Sequence, residues 1–365
     1  MHSVVDTMDA GAVPGAFCKL TEDFLSGDPG KCNVIHADGS GTKSIIAYLA
    51  YKEFGDPSVF AGIAQDSIVM NLDDLLCVGA GGRILLSNTI NRNALNCPGR
   101  SRLRPDRRHR TVPREAFART ASIFCSGGET ADVGDLTGTI VVDSCAVSIM
   151  KKQDVIRNRI TPDLVDHRPC PPPDARTTSK PINSGIGSNG LTSARHDMLS
   201  QYYADRCPET FDPNVASDLV YCGPYKLEDP LPDSDMSVGE AILSPTRTYA
   251  PAIYRMIDEL GEEIRGLVHC SGGAQTKCLR FGARRALHQE QPVPDPAGVQ
   301  GDSRRPRTPA GRRCTRCSTW AIEWRSTSLT SGLARLSILR AASASTPGAS
   351  VYEAGRARSP VDHGS

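Results

Sequence analysis

The sequence predicts an α/β chain of two domains, and three observations carry that expectation. At 365 residues the chain is long enough to build two cores. Apolar residues recur at helical spacing in some segments and as short Val- and Ile-rich runs in others, and the two kinds follow one another along the chain. Glycine-rich turns repeatedly join or follow these runs, at 39–41, 187–190 and 272–273.

Composition narrows the class of function. A net charge of +1 gives no general attraction to nucleic acid or to a membrane surface. No apolar run reaches membrane-spanning length, and the opening MHSVVDTMDAGAVPG shows no secretory signal, so the cytoplasm is the expected location. Thirteen cysteines without framework spacing, in a chain of this size, do not suggest a disulfide scaffold.

Taken in order, NVIHADGSGTK (Asn33–Lys43) leads from a short apolar run into a turn holding Asp38, Gly39 and Gly41, followed by Thr42 and Lys43. Glycines let backbone N–H groups approach an anion, Asp38 is a hard oxygen ligand suited to Mg²⁺, and Lys43 is a point charge for phosphate. The spacing is not that of a P-loop. SIIAYLAYKEF then reads as a helix broken by Asp56-Pro57, and GIAQDSIVMNLDDLLCVGA as a long amphipathic helix ending at Gly79. Asp66 and Asp73 lie seven residues apart on one face of that helix, with Asp74 beside them, and either form a solvated acidic face or hold metal. RILLSNTI is a predicted strand. Further on, Gly127, Gly128, Glu129 and Thr130 form a predicted tight turn between two strand-like runs, the second rich in Val and Ile.

GIGSNGLTSARHDMLSQYY reads as a glycine-rich loop opening a helix, with Ser188, Asn189 and Gly190 at an anion-friendly N-terminus. ILSPTRTYAPAIYRMIDEL reads as strand, turn and helix, with Arg247 at the turn placed to clamp phosphate or carboxylate. GLVHCSGGAQTK is a strand running into His269 and the Gly272-Gly273 turn. Three stretches, 96–116, 158–183 and 282–365, are rich in Arg and Pro and follow neither period. The pair Cys314 and Cys317 lacks the second pair that a zinc site needs.

In their order and spacing, HADGSGTK, the Asp66–Ala80 segment, SGGETADVGDL, GIGSNGLTSARHD, ILSPTRTYAP and VHCSGGAQTK resemble the aminoimidazole ribonucleotide synthetase family, the phosphoribosylformylglycinamidine cyclo-ligases. The resemblance implies an α/β (α+β) chain with an N-terminal ATP-binding and dimerisation domain over 1–157, whose small sheet pairs with that of a second copy. It implies a partial C-terminal domain over 184–281. The implied reaction uses ATP to activate the formyl amide oxygen of formylglycinamidine ribonucleotide, after which the amidine nitrogen closes the imidazole ring and phosphate leaves.

By matching motif positions, Asp38, Gly39, Gly41, Thr42, Lys43, Asp66, Asp74, Gly127, Gly128, Glu129 and Thr130 would serve ATP, with Asp38, Asp66 and Asp74 on Mg²⁺. Ser188, Asn189, Gly190, Arg247, Gly272 and Gly273 would face the ribonucleotide, and His269, Lys43 and Arg247 would act in the chemistry. The expected partners are the ribonucleotide, ATP and a second copy of the chain, with no nucleic acid and no membrane. Other ATP-using members of the superfamily remain open. Thiamine monophosphate kinase is one, and selenophosphate synthetase, which needs a nucleophile before the Asp-Gly turn such as Cys32, is another. A non-catalytic product that binds nucleic acid through its Arg-rich stretches is a third reading.

The patternless stretches depart from the family where ordinary helices and strands belong, and they read as translation out of frame. From the third base of the Cys317 codon, Cys317–Thr327 (CSTWAIEWRST) can encode FNMGHRMEIY, its two invariant Trp codons supplying the bases for both Met codons. Asp106–Pro113 and Asp166–Pro171, shifted by one base, can encode IDGTERF and ITGLA. The stretches as written lack an apolar face and are expected to be poorly folded.

Overall fold

The computed structural model describes residues 11–97, 121–159, 165–167, 169–170, 183–232, 234–272, 277, 324–328 and 350–351. Its centre is a five-stranded sheet of order β1-β2-β5-β3-β4. The strands are β1 (Leu20–Glu22), β2 (Lys31–Gly39), β3 (Gly82–Arg92), β4 (Ala121–Asp132) and β5 (Ile140–Lys151). β5 runs antiparallel to both β2 and β3, and β4 runs parallel to β3. The C-terminal ends of β2, β3 and β4 therefore meet along one edge.

Strand alternation decides what each face carries. Cys32 and Val34 on β2 and Ala146 and Ser148 on β5 are buried against α2 (Phe60–Leu76). On the other face Ile35, Val147, Leu85 and Phe124 stand in one continuous row across four strands. Ile35 is 58% exposed, and Leu85 and Phe124 are each 50% exposed.

The helix α1 (Lys43–Phe54) follows the Asp38–Gly41 turn and ends at Gly55. Asp56 then caps a single 3₁₀ turn begun by Pro57, accepting from Ser58 N at 2.8 Å. The apolar face of α1 (Ile46, Leu49) packs on Ile186, Leu191, Tyr203, Tyr221, Val238 and Ile242. These come from α3 (Leu191–Met198), α4 (Tyr202–Arg206), α5 (Val238–Leu243) and the loops around them. The face of α2 away from α1 joins Val34, Ile84 and Leu86 of the sheet to Tyr249, Ile253 and Leu267 in one core. Ile253 lies on α6 (Ala250–Leu260) and Leu267 on β8 (Ile264–His269). That core carries apolar side chains from Val13 on one side of the sequence to Leu267 on the other.

Three expectations are corrected. Gly127–Thr130 do not make a tight turn. They continue β4, paired in parallel with Ser87–Ile90 after a bulge at Ser126, whose hydroxyl donates to Leu86 O at 3.0 Å. A Cβ on Gly128 would stand 1.8 Å from Asn88 O, so only glycine lets the two strands close at this point. Ile242 and Leu243 belong to helix α5 rather than to a strand, because Ser237 and Glu240 form a capping box that starts a helix there. Asn96 and Cys97, expected to begin the first aberrant stretch, are tied in: Asn96 Nδ2 donates to Gly138 O at 3.0 Å and Cys97 is buried beside Tyr48 and Phe60.

Short strands also occur inside stretches expected to be poorly folded. They are β6 (Val165–His167), β7 (Pro169–Cys170), β9 (Trp324–Ser328) and β10 (Ser350–Val351). β9 lies between β6 and β8 in a three-stranded sheet, and β7 pairs with β10. The remainder of 98–116, 160–182 and 282–365 lies outside the described residues, and with it the Cys314 and Cys317 pair.

Candidate active site

The motif segments of the two halves meet along α2. Helical spacing turns Asp66, Met70, Asp73 and Asp74 toward the chain that follows residue 183, and each finds a partner there. Asp66 Oδ1 accepts from Lys43 Nζ at 3.0 Å, from Thr246 N at 2.7 Å and from Thr246 Oγ1 at 2.6 Å. Lys43 also donates to the carbonyl of Ser244. Thr246 Oγ1 lies 3.0 Å from Ser188 Oγ, so one chain of bonds runs from the β2–α1 turn through α2 to two motifs of the second half. Asp73 accepts from Thr248 Oγ1 at 2.6 Å and from Tyr249 N at 3.4 Å. Asn189 Nδ2 donates to Ser271 Oγ, joining two of the glycine-rich loops.

Asp74 is held between two imidazoles. His269 Nδ1 meets one carboxylate oxygen and His36 Nε2 lies 3.0 Å from the other. Asn71 Nδ2 donates to the carbonyls of Asp38, Ser67 and Ser144 at 2.9, 3.0 and 3.0 Å, which leaves its Oδ1 as the acceptor 3.2 Å from His36 Nδ1. His36 thus faces an acceptor on each ring nitrogen. Burial works against its protonation, but Asp74, Asn71 and Asp38 together outweigh burial and the His36 pKa is raised. Burial likewise works to raise Asp74, and His269 and His36 together hold it well below the usual carboxylate range. Asp73 accepts from Thr248 and Tyr249 instead, and burial, working against His269 and these two donors, pushes it up to about 7.

The sequence-based assignments separate on this geometry. Lys43 does not offer a free ammonium to an anion; it is fully buried on Asp66. Asp66 and Asp74 do not present open carboxylates to Mg²⁺, since the first is enclosed with Lys43 and the second is taken by two histidines. Among the described residues no three His, Cys, Asp or Glu side chains gather as a metal set. Of the three expected metal ligands Asp38 alone is exposed, its Oδ1 accepting from Gly39 N at 2.7 Å. His269 is itself fully buried and meets Asp74, whose other oxygen faces the partly exposed His36.

Gly39 stands opposite Asp143, where a Cβ would meet Asp143 Oδ1 at 1.8 Å. Gly41 is exposed and Thr42 half-buried, its hydroxyl 2.9 Å from Thr192 Oγ1 of α3. Gly127, Gly128 and Glu129 are exposed and Thr130 half-buried at the far edge of the sheet. The register Asp38–Ser144–Asn88–Gly128 puts them on the row of Asp38 but three strands away, about 14 Å at ordinary strand spacing. Arg247 and Gly190 are half-buried in their loops and Gly272 is exposed; Gly273 lies outside the described residues. Cys32 is fully buried with its thiol raised by burial, which does not suit it as a nucleophile.

His36, Asn71, Thr246 and Thr248 were not singled out from sequence. The alternation of β2 puts His36 on the face of Asp38, and helical spacing puts Asn71 one turn from Asp74; both were signals available in the sequence.

Residues 9–150 match the family described as AIR synthase related protein, N-terminal domain. The matched stretch takes in the five-stranded sheet, α1 and α2, and with them Asp38, Lys43, Asp66 and Asp74. Among curated proteins the chain is similar to the phosphoribosylformylglycinamidine cyclo-ligase of Thermococcus kodakarensis, 29% identical over 250 residues covering 68% of this chain and 58% of the relative. The cyclo-ligase of Methanocaldococcus jannaschii is 24% identical over 273 residues, 73% of this chain and 62% of the relative. The chain thus spans less than two thirds of the length of these relatives. A solved thiamine-monophosphate kinase from Stenotrophomonas maltophilia superposes with a TM-score of 0.45 at 12% identity, covering 89% of this chain and 84% of that one. No helix among the described residues is long and apolar enough to cross a membrane.

Proposed function

We propose that the chain is an ATP-dependent cyclo-ligase that closes formylglycinamidine ribonucleotide to aminoimidazole ribonucleotide in purine biosynthesis. The observation that carries this reading is the bond chain Lys43–Asp66–Thr246–Ser188, which joins the stretch similar to the AIR synthase-related family to two of the segments that resemble the cyclo-ligases. In the reaction, the formyl amide oxygen attacks the γ-phosphorus of ATP and ADP leaves. The amidine nitrogen then adds to the activated carbon, and inorganic phosphate departs with the former amide oxygen. The enzyme's part is to hold both ends of one substrate together and to meet the charge on the phosphoryl group.

With Lys43 neutralised by Asp66, the groups left for phosphate are the backbone of the Gly39–Gly41 turn and the N-terminus of α1. Mg²⁺ is read as arriving with the nucleotide, since it is commonly held by substrate phosphates and one or two carboxylates, and Asp38 is the exposed carboxylate at this turn. His269 is read as a proton store behind Asp74, because its burial keeps it from touching the substrate directly. The apolar row Ile35–Val147–Leu85–Phe124 supports a homodimer formed sheet to sheet, and the chemistry is that of a cytoplasmic biosynthetic enzyme.

The test is formation of ADP and of aminoimidazole ribonucleotide when the purified chain is given ATP and formylglycinamidine ribonucleotide. Ribonucleotide-dependent ADP release with stoichiometric ring closure supports the assignment, and ADP release indifferent to the ribonucleotide counts against it. We further propose that the gene carries frame breaks within codons 98–183 and after codon 279. Independent nucleotide sequencing decides this: single-base corrections restoring one frame support it, and an identical sequence read without any nearby alternative frame removes it.

A further inference from the structure

Arg195 and His196 close the last turn of α3, outside the bond chain of the candidate site, and their own hydrogen bonds do not close. Arg195 is 4% exposed, and among the described residues its Nε and Nη1 meet no acceptor. Its Nη2 lies 3.1 Å from His196 Nε2, the Tyr221 ring lies 5.9 Å from the guanidinium carbon, and the Tyr221 hydroxyl is its one side-chain oxygen neighbour among the described residues. Among the described residues no carboxylate forms an ion pair with it.

His196 sharpens the mismatch. The backbone N–H of Tyr221 donates to His196 Nδ1 at 3.2 Å, so that nitrogen holds its lone pair. The single ring proton is then on Nε2. Burial, with the Arg195 charge added, holds the His196 pKa down to about 4, which keeps the ring neutral near pH 7. His196 Nε2–H therefore faces Arg195 Nη2–H, donor against donor. Tyr221 supplies this N–H from a backbone with φ of 45°, among the described residues the single non-glycine residue with positive φ. Buried donors without an acceptor are costly, and a buried guanidinium without a counter-charge is costlier still. Water would accept these bonds without neutralising the charge. An oxyanion does both, and the guanidinium fork matches its geometry.

We propose that Arg195 and His196 form a binding site for a small oxyanion of the phosphate class, separate from the nucleotide turn. The Arg195 Nε–H and Nη1–H groups and the His196 Nε2–H are the buried donors left for it. The site is coupled in space to the candidate active site: Thr192, one helical turn before Arg195 on the same face of α3, meets Thr42 of the β2–α1 turn. This assignment does not depend on the cyclo-ligase reading.

Isothermal titration of the full chain with inorganic phosphate at constant ionic strength, with and without saturating ATP, tests it. The expected result is phosphate binding in both conditions, weakened about tenfold in Arg195→Lys, where the fork is lost, and abolished in Arg195→Met. Binding that disappears under ATP and is unchanged in both variants would locate the phosphate at the nucleotide turn and overturn the proposal. So would an absence of phosphate binding to the unaltered chain. Should the variants not fold, the Arg195 Nε–H resonance of the unaltered protein must move on adding phosphate; a stationary resonance overturns the proposal equally.

Discussion

Lys43 Nζ lies 3.0 Å from Asp66 Oδ1, with neither side chain exposed. A cation at a phosphate-type turn is thereby committed inward, to a carboxylate on the neighbouring helix. Enclosed pairs of this kind are costly to break from one side, because the surviving charge stays buried. Lys43→Met and Asp66→Asn are each expected to lower stability by about 3–5 kcal/mol. The double variant should recover much of that loss, as read by urea denaturation. Equal and additive losses would mean that the pair is not coupled.

His36 ties stability to pH. Its pKa is raised in the folded protein, so its contribution is complete below the unfolded value near 6.5 and is lost as pH rises through the folded value. Asp74 is shifted the opposite way, so its contribution is present above the unfolded value of 3.8 and fades as pH falls below it. The stability difference between the unaltered chain and His36→Leu should be largest near pH 5–6 and shrink toward pH 8–9. A difference independent of pH would show that the ion pair with Asp74 does not form.

Asp73 carries the reverse sign. Its pKa is raised to about 7 by burial, so ionising it opposes folding, and the penalty grows from the unfolded value of 3.8 up to about pH 7. Asp73→Asn removes that penalty and keeps one acceptor for Thr248. The variant should gain on the unaltered protein by about 1–3 kcal/mol between pH 5 and pH 8. Denaturation midpoints at the two pH values measure the gain, and a falling difference would reverse the assignment.

Leu85 and Phe124 stand side by side in the exposed apolar row of the sheet. Leu85→Glu or Phe124→Glu would set a charge against its own copy in a sheet-to-sheet dimer. Sedimentation velocity should show a dimer for the unaltered chain and a monomer for either variant, with the near-ultraviolet spectrum kept. A dimer that survives both substitutions would have to use another surface.

Much of the framework was legible from periodicity. The helices α1 and α2 and the strands β3, β5 and β8 each carry an unbroken apolar pattern of one period, and the structure holds them where the pattern puts them. Gly127–Thr130 misled because glycine and threonine read locally as a turn. Their partner is β3, whose end at Arg92 is far from Ala121 in sequence, and only that pairing makes the segment a strand. Helix α5 was hidden by Ile-Leu-Ser-Pro, although Ser237 and Glu240 carried a readable capping box. In the candidate site the residue types were right while their partners were not visible. A lysine in a glycine-rich turn advertises its charge, but nothing near it in sequence says that Asp66 and the Ser244 carbonyl will surround it.

The core beneath the sheet interleaves Val34, Ile84 and Leu86 with Tyr249, Ile253 and Leu267. Neither the sheet nor the helix–strand unit that covers α2 has an interior of its own on that side. Cutting the chain between them would not release two independent modules; it would expose both halves of a shared seam. The bonds of Asp66, Asp73 and Asp74 all cross the same seam, so heat or denaturant should dismantle the candidate site and the core together. Loss of competence and loss of shape then become a single event, with no surviving half able to hold the β2–α1 turn in register.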